Sequence, residues 1–186
     1  MIPIKINGIK NEIPTFNELT VEQYIKYRKA IKRKKDFSII DYLSIVLKTN
    51  YKAVYFSKIK KIQFLSETLG QVKDYSKIKP KKEFIINKEI YKLESYSIQT
   101  VGQRFMIQEN GKKFKDTEEF LCFVLAVCII KEVNLNKIIE LKDLILKEYY
   151  IDILPTAFFL LRNLMTGLNK GKNIFQQLKR LMSMKH

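Results

Sequence analysis

The sequence predicts a mainly α-helical protein with a minor β component (α+β). Its plan is two tandem β-hairpin-plus-helices units, read as a duplication, followed by a C-terminal helical extension. Three observations carry this. Thr20-Val21-Glu22-Gln23 returns as Thr100-Val101-Gly102-Gln103 at an offset of 80 residues, and self-similarity at a fixed offset marks a repeated structural unit. Alternating apolar segments precede both copies, as expected of strands. Elsewhere Ile, Leu and Phe recur at helical spacing, with only four prolines and six glycines to interrupt them.

In chain order, Ile2, Ile4 and Ile6 alternate with Pro3 and Lys5, then Asn7-Gly8 leads into Ile9 to Ile13. Asn-Gly between alternating segments signals a hairpin, because both residues tolerate positive φ. Pro14 ends the second strand. Thr20 starts a helix as half of a capping box, its hydroxyl accepting from the Gln23 backbone while the Gln23 side chain reaches back. Val21, Tyr24, Ile25 and Tyr27 form that helix's apolar stripe, and Arg28 to Lys35 its basic end, where cations suit the dipole. Ser38 caps a second helix burying Ile39, Tyr42, Leu43, Val46 and Leu47, and Asn50 is expected to stop it. Short helices are expected over Tyr51–Phe56 and Lys60–Leu69, the latter closed by Gly70. These elements make a first unit, 1–72, followed by a Lys/Pro linker, 73–82.

The second unit, 83–154, restarts with Phe84 to Tyr91, with Lys88 where Gly8 stood. Thr100 caps the next helix, which Gly102 weakens by about 1 kcal/mol at most. Asp116-Thr117-Glu118-Glu119 opens the most apolar helix, through Ile130, which is expected at the centre of the core. Asn136 to Tyr150 is amphipathic, with Ile138, Ile139, Leu141, Leu144, Ile145 and Tyr149 on one stripe. The C-terminal helices, 155–186, begin at Pro155, a residue suited to a helix start. Phe158, Phe159, Leu161 and Leu164 are expected to turn inward.

The formal charge of +16 suits a polyanionic or acidic partner. Of the 35 basic residues only five are Arg, so the bidentate fork that reads guanine and phosphate is scarce. The amino-acid bias of an AT-rich genome, with a solvated surface, is the favoured account of the Lys abundance. Cys122 and Cys128 lie about 9 Å apart along a helix axis and on different faces, too far for a bridge. They read as small core residues of a reducing compartment. MIPIKING does not read as a signal peptide. The apolar run Phe120 to Ile130 is about half the roughly 20 residues a membrane span needs, so it is expected to be a buried helix of a soluble protein with no membrane partner.

The residues offer no reaction. The single His is His186, which disfavours a His-dependent triad or metal centre. No CxxC pair and no glycine-rich phosphate loop is present. Glu118-Glu119 sits at a helix start, where carboxylates are expected for dipole reasons. A non-enzyme without cofactor is expected. The best polyanion or partner contact is Lys26, Arg28, Lys29, Lys32, Arg33, Lys34 and Lys35, with Tyr24 and Tyr27 beside it as stacking platforms or as half-buried core residues. A terminal helix, Lys172 to Met184, carries Phe175, Leu178, Leu181 and Met182 on one side. That stripe fits packing on its own domain, docking in a neighbour's groove or, with only about four to five residues to do it and so more weakly, lying on a membrane surface.

The order over Ile2–Ile25, an Asn-Gly hairpin, a polar step, then Glu18-Leu19-Thr20-Val21-Glu22-Gln23-Tyr24-Ile25, resembles the start of small tailed-bacteriophage proteins. These are tail-assembly-chaperone-like proteins and related small virion proteins of phages infecting Bacteroides-type hosts, crAss-like phages among them. Phe84–Ile107, the apolar helix through Ile130 and Phe158-Phe159-Leu160 are similar to the same pattern. The resemblance implies a non-enzymatic virion or virion-assembly protein of the neck, tail or packaged cargo, located in the virion or host cytoplasm. Its partners would be other phage proteins, with DNA contact possible. The positive charge departs from the usual chaperone composition, and the resemblance transfers no residue role. The alternative is a basic nucleic-acid-binding protein using the Lys26–Lys35 face.

Overall fold

Both hairpin signals are realised as separate two-stranded antiparallel sheets. A computed structural model of the chain describes residues 1–34, 36–56, 65, 67–98, 100–130, 132 and 134–167. In the first sheet β1 (Ile2–Ile6) pairs with β2 (Ile9–Ile13), and in the second β3 (Glu83–Ile86) pairs with β4 (Glu89–Lys92). The turn residues Asn7 and Gly8 have φ of 51° and 84°, Asn87 and Lys88 of 50° and 68°, the double positive φ that a two-residue hairpin turn requires. Lys88 holds this conformation with a Cβ, whereas Gly8 does so without one.

Seven α-helices lie among the described residues: α1 (Val21–Arg33), α2 (Ile39–Val46), α3 (Tyr51–Tyr55), α4 (Val101–Gly111), α5 (Thr117–Ile129), α6 (Leu135–Ile145) and α7 (Tyr150–Gly167). The protein is therefore mainly α with two small sheets. Hairpin, Thr-capped helix and second helix follow one another in the same order at the start of each half. The chain divides into two compact units, Met1–Asp74 with Tyr149–Ile151, and Tyr75–Glu148 with Asp152–His186.

In the first unit Ile2, Ile4 and Ile13 of the hairpin are buried, as are Leu19, Val21, Tyr24, Tyr42 and Leu43. Thr20 and Gln23 form the expected capping box, with both hydrogen bonds present at 3.0 and 3.2 Å. Ser38 and Asp41 form another at the start of α2. Asn50 does not stop α2. Lys48 does, with φ 52°: its N–H donates to Ile45 and that of Thr49 to Ser44, the paired bonds of a Schellman motif. Asn50 instead caps α3, accepting from the Ala53 N–H at 2.7 Å. Of the expected helix Lys60–Leu69, residues 60–64 and 66 lie outside the described residues. Leu65 is helical and buried, and Gly70 takes φ 75°.

The second unit is built around α5, where every residue from Phe120 to Val127 is buried. The 73–82 stretch, expected as a linker, is packed in part: Tyr75 is buried in a short 3₁₀ turn, Tyr75–Lys77, with its ring 5.9 Å from that of Phe158. Lys81 exchanges two backbone hydrogen bonds with the buried Thr156 hydroxyl, at 2.8 and 3.0 Å. Lack of apolar periodicity hid this, because an aromatic ring and several backbone groups, not an apolar stripe, do the packing.

Two further boundaries differ from expectation. The amphipathic helix ends at Ile145, not Tyr150, as Lys147 and Glu148 tighten to i−3 bonds with Leu144 and Ile145. Tyr149 is then exposed and bridges Thr20, while Tyr150 is buried. The following helix does not begin at Pro155 but runs through it from Tyr150. Pro155 lacks the N–H that would bond the Ile151 carbonyl. Ile153, Leu154, Ala157, Leu160, Leu161 and Leu164 make the buried side of α7, with Phe158 and Phe159 only half-buried.

Candidate nucleic-acid and partner interfaces

α1 presents the basic run because its other side is committed to the core. Val21 and Tyr24 are buried, and 100° per residue then sets Glu22, Lys26, Lys29 and Arg33 on one outward stripe, with Lys32 beside it. Lys26, Lys29, Lys32 and Arg33 are all exposed. Lys26 pairs with Glu22 at 2.7 Å in the i,i+4 geometry, worth a few tenths of a kcal/mol at an exposed site. Lys34 turns aside to the Asp41 carboxylate, and Arg28 is half-buried. Lys35 lies outside the described residues. Burial pushes the Asp41 carboxyl up, yet the Lys34 ammonium and the Ser38 backbone and hydroxyl outweigh it and leave it lowered.

The tyrosines beside this run have their own ring partners within the first unit. Tyr24 stacks on Tyr150. Tyr27 sits among Phe16, Phe37 and Tyr42, with centroids 5.2, 5.2 and 6.4 Å away. They read as core residues and not as base platforms. The charge is not confined to one half. Residues 1–74 hold 15 basic and 7 acidic residues and residues 75–186 hold 20 and 12, a net +8 each. Density sets the α1 end apart, since seven of those 15 cations fall between positions 26 and 35.

The second unit carries a different feature, which the sequence reading missed. On its hairpin Phe84 and Ile86 face inward, and Ile85 pairs across the strands with Ile90 on the outer side. They are 67% and 68% exposed, beside the Glu83–Lys92 ion pair at 2.8 Å. The equivalent outer pair of the first hairpin is Lys5 opposite Lys10. The available signal was strand alternation compared at the 80-residue offset. α4 has a related inversion: it buries Gln103 and Asn110 while exposing Val101 and Phe105, 85% and 59%.

A small open pocket in this unit is lined by Lys92, Glu94, Ser95, Ser97, Gln103, Cys128 and Ile129. Its polar groups are engaged locally: the Ser95 and Ser97 hydroxyls lie 2.6 Å apart, and the Gln103 amide donates to the Val127 carbonyl at 3.1 Å. Burial pushes the Cys128 thiol up to about 12 and raises Cys122 as well, so both stay protonated near neutrality and lack thiolate reactivity. Lys142 is buried against Glu119 and Asp143, at 3.0 and 2.9 Å. Burial lowers its pKa, but these carboxylates outweigh that and leave it raised; it is a charged, paired lysine and not a nucleophilic amine. Among the described residues no cluster of His, Cys, Asp and Glu is arranged to hold a metal ion. No described helix is long and apolar enough to cross a membrane. The candidate docking stripe Phe175, Leu178, Leu181 and Met182 lies outside the described residues. No protein-family model, curated protein or solved structure matches the chain.

Proposed function

We propose that the chain is a non-enzymatic bacteriophage virion or virion-assembly protein, of the neck, tail or packaged cargo, acting through protein–protein contacts. The observation that supports this most is the outward Ile85–Ile90 pair, which leaves a β-branched apolar face in water where the first hairpin carries Lys5 and Lys10. Exposed apolar side chains grouped on one rigid element suit an interface, because covering them recovers about 25 cal/mol per Å² of buried apolar surface. Val101 and Phe105 add a second apolar pair one helical turn apart in the same unit.

The test uses Ile85→Thr with Ile90→Thr, which keeps strand propensity and β-branching while removing apolar surface. Mass-spectrometric quantitation in purified particles and in assembly intermediates is expected to find the unaltered chain in one of them. It should find the folded double variant reduced tenfold or more. Absence of the unaltered chain from both, or equal incorporation of the variant, sinks the reading.

A further inference from the structure

We propose that the solvent face of α1 docks on the sugar-phosphate backbone of duplex DNA, independently of sequence. This does not rest on the protein-contact reading above, which concerns the second unit. Lys26, Lys29, Lys32 and Arg33 occupy an arc of about 120° on one rigid helix, and Lys26 to Arg33 spans about 10 Å along its axis. Duplex DNA carries one negative charge per about 1.7 Å of axis with both strands counted, so four cations spread over about 10 Å meet at least as dense a set of phosphates. The helix presents these cations as a regular array with its backbone already ordered, so only their side chains lose freedom on contact.

The surroundings select among polyanions. Binding of single strands relies on exposed aromatic rings that stack on bases, and on α1 Tyr24 is buried against Tyr150 while Tyr27 is enclosed by Phe16, Phe37 and Tyr42. The exposed Tyr55 and Phe56 belong to the end of α3. The row holds three lysines and one arginine. Ammonium groups act as point charges, and a single guanidinium fork reads little base sequence. Lys34, tied to Asp41, is a structural cation and stands outside the row. The Glu22 carboxylate that holds Lys26 exchanges it for phosphate at little cost, since an exposed pair of this kind is weak.

The experiment is fluorescence anisotropy of the full chain with a labelled duplex of about 30 base pairs across a salt series. Replacing Lys26, Lys29, Lys32 and Arg33 with Ala is expected to lower the magnitude of the log K against log salt slope by about 3. It should also weaken binding roughly 30-fold or more at about 0.1 M salt. Substituting Arg for Lys26, Lys29 and Lys32 should keep the slope. Removing the same charge elsewhere, by Lys5→Ala, Lys10→Ala, Lys52→Ala and Lys77→Ala, should change it by less than about 1. Three outcomes overturn the proposal: equal effects of the two quadruple variants, tighter binding to single strands than to duplex, or competition by poly-glutamate as effective as unlabelled DNA.

Discussion

The ring of Tyr150 lies flat on that of Tyr24, with centroids 4.2 Å apart and planes 8° from parallel. Residues distant in sequence by more than a hundred positions thus close the first unit. The Tyr150 N–H donates to the Leu19 carbonyl at 3.0 Å, and the Lys73 N–H donates to the Tyr150 hydroxyl at 3.2 Å. Tyr24 is consumed by this contact. Tyr24→Ala should destabilise the first unit by about 3 kcal/mol or more, as expected for loss of a buried ring. Tyr24→Phe should cost less than about 1 kcal/mol and leave DNA affinity unaltered. Hydrogen exchange of the α1 amides checks the first and anisotropy the second.

Lys48 and Lys88 hold left-handed backbone, with φ of 52° and 68°, which costs a side-chain-bearing residue roughly 1 kcal/mol. Lys48→Gly should relieve the Schellman turn after α2, and Lys88→Gly the second hairpin. Each should raise stability by about 0.5–1 kcal/mol in urea denaturation, while Gly8→Ala, at φ 84°, should lower it by a similar amount. A loss of stability on either Lys→Gly change would contradict the turn geometry.

The two Gln residues of the capping boxes differ in burden. Both close a box with Thr, but only Gln103 also donates, at 3.1 Å, to the Val127 carbonyl near the end of α5, where carbonyls lack intrahelical partners. Gln23→Ala should cost about 0.5–1 kcal/mol and Gln103→Ala about 1–2 kcal/mol more, since a buried carbonyl is then left unpaired. Thr20→Ala and Thr100→Ala should cost about 1 kcal/mol each. Equal losses for the two Gln variants would count against the bond to Val127.

Asp41 sets part of the acid limit of the first unit. Its folded pKa lies below its unfolded value of 3.8, so the stability it contributes is fully present above that value. It is lost as the pH falls from there through the lowered folded value. Asp41→Asn should destabilise the protein at pH 7 by about 1–2 kcal/mol and flatten the decline below about pH 4. Stability against pH for the two proteins checks this: parallel acid limbs would show that Asp41 does not titrate with unfolding.

Much of the local structure was legible because its determinants lie within three or four residues of one another. Asn7-Gly8 and Asn87-Lys88 specify turns, and Thr20/Gln23, Thr100/Gln103 and Ser38/Asp41 specify helix starts, through bonds a short peptide can make. The outward row Lys26, Lys29, Lys32 and Arg33 likewise follows from helical period once the buried side of α1 is known. Tertiary structure alone decided which apolar residues stay in water. Val21 is fully buried while Val101, at the same place in the same motif, is 85% exposed. Periodicity establishes that a helix has a face but not whether anything covers it. The same holds for Tyr150 on Tyr24. Burial and ion pairing depend on surfaces brought together from distant parts of the chain, and those surfaces exist only once the chain has folded.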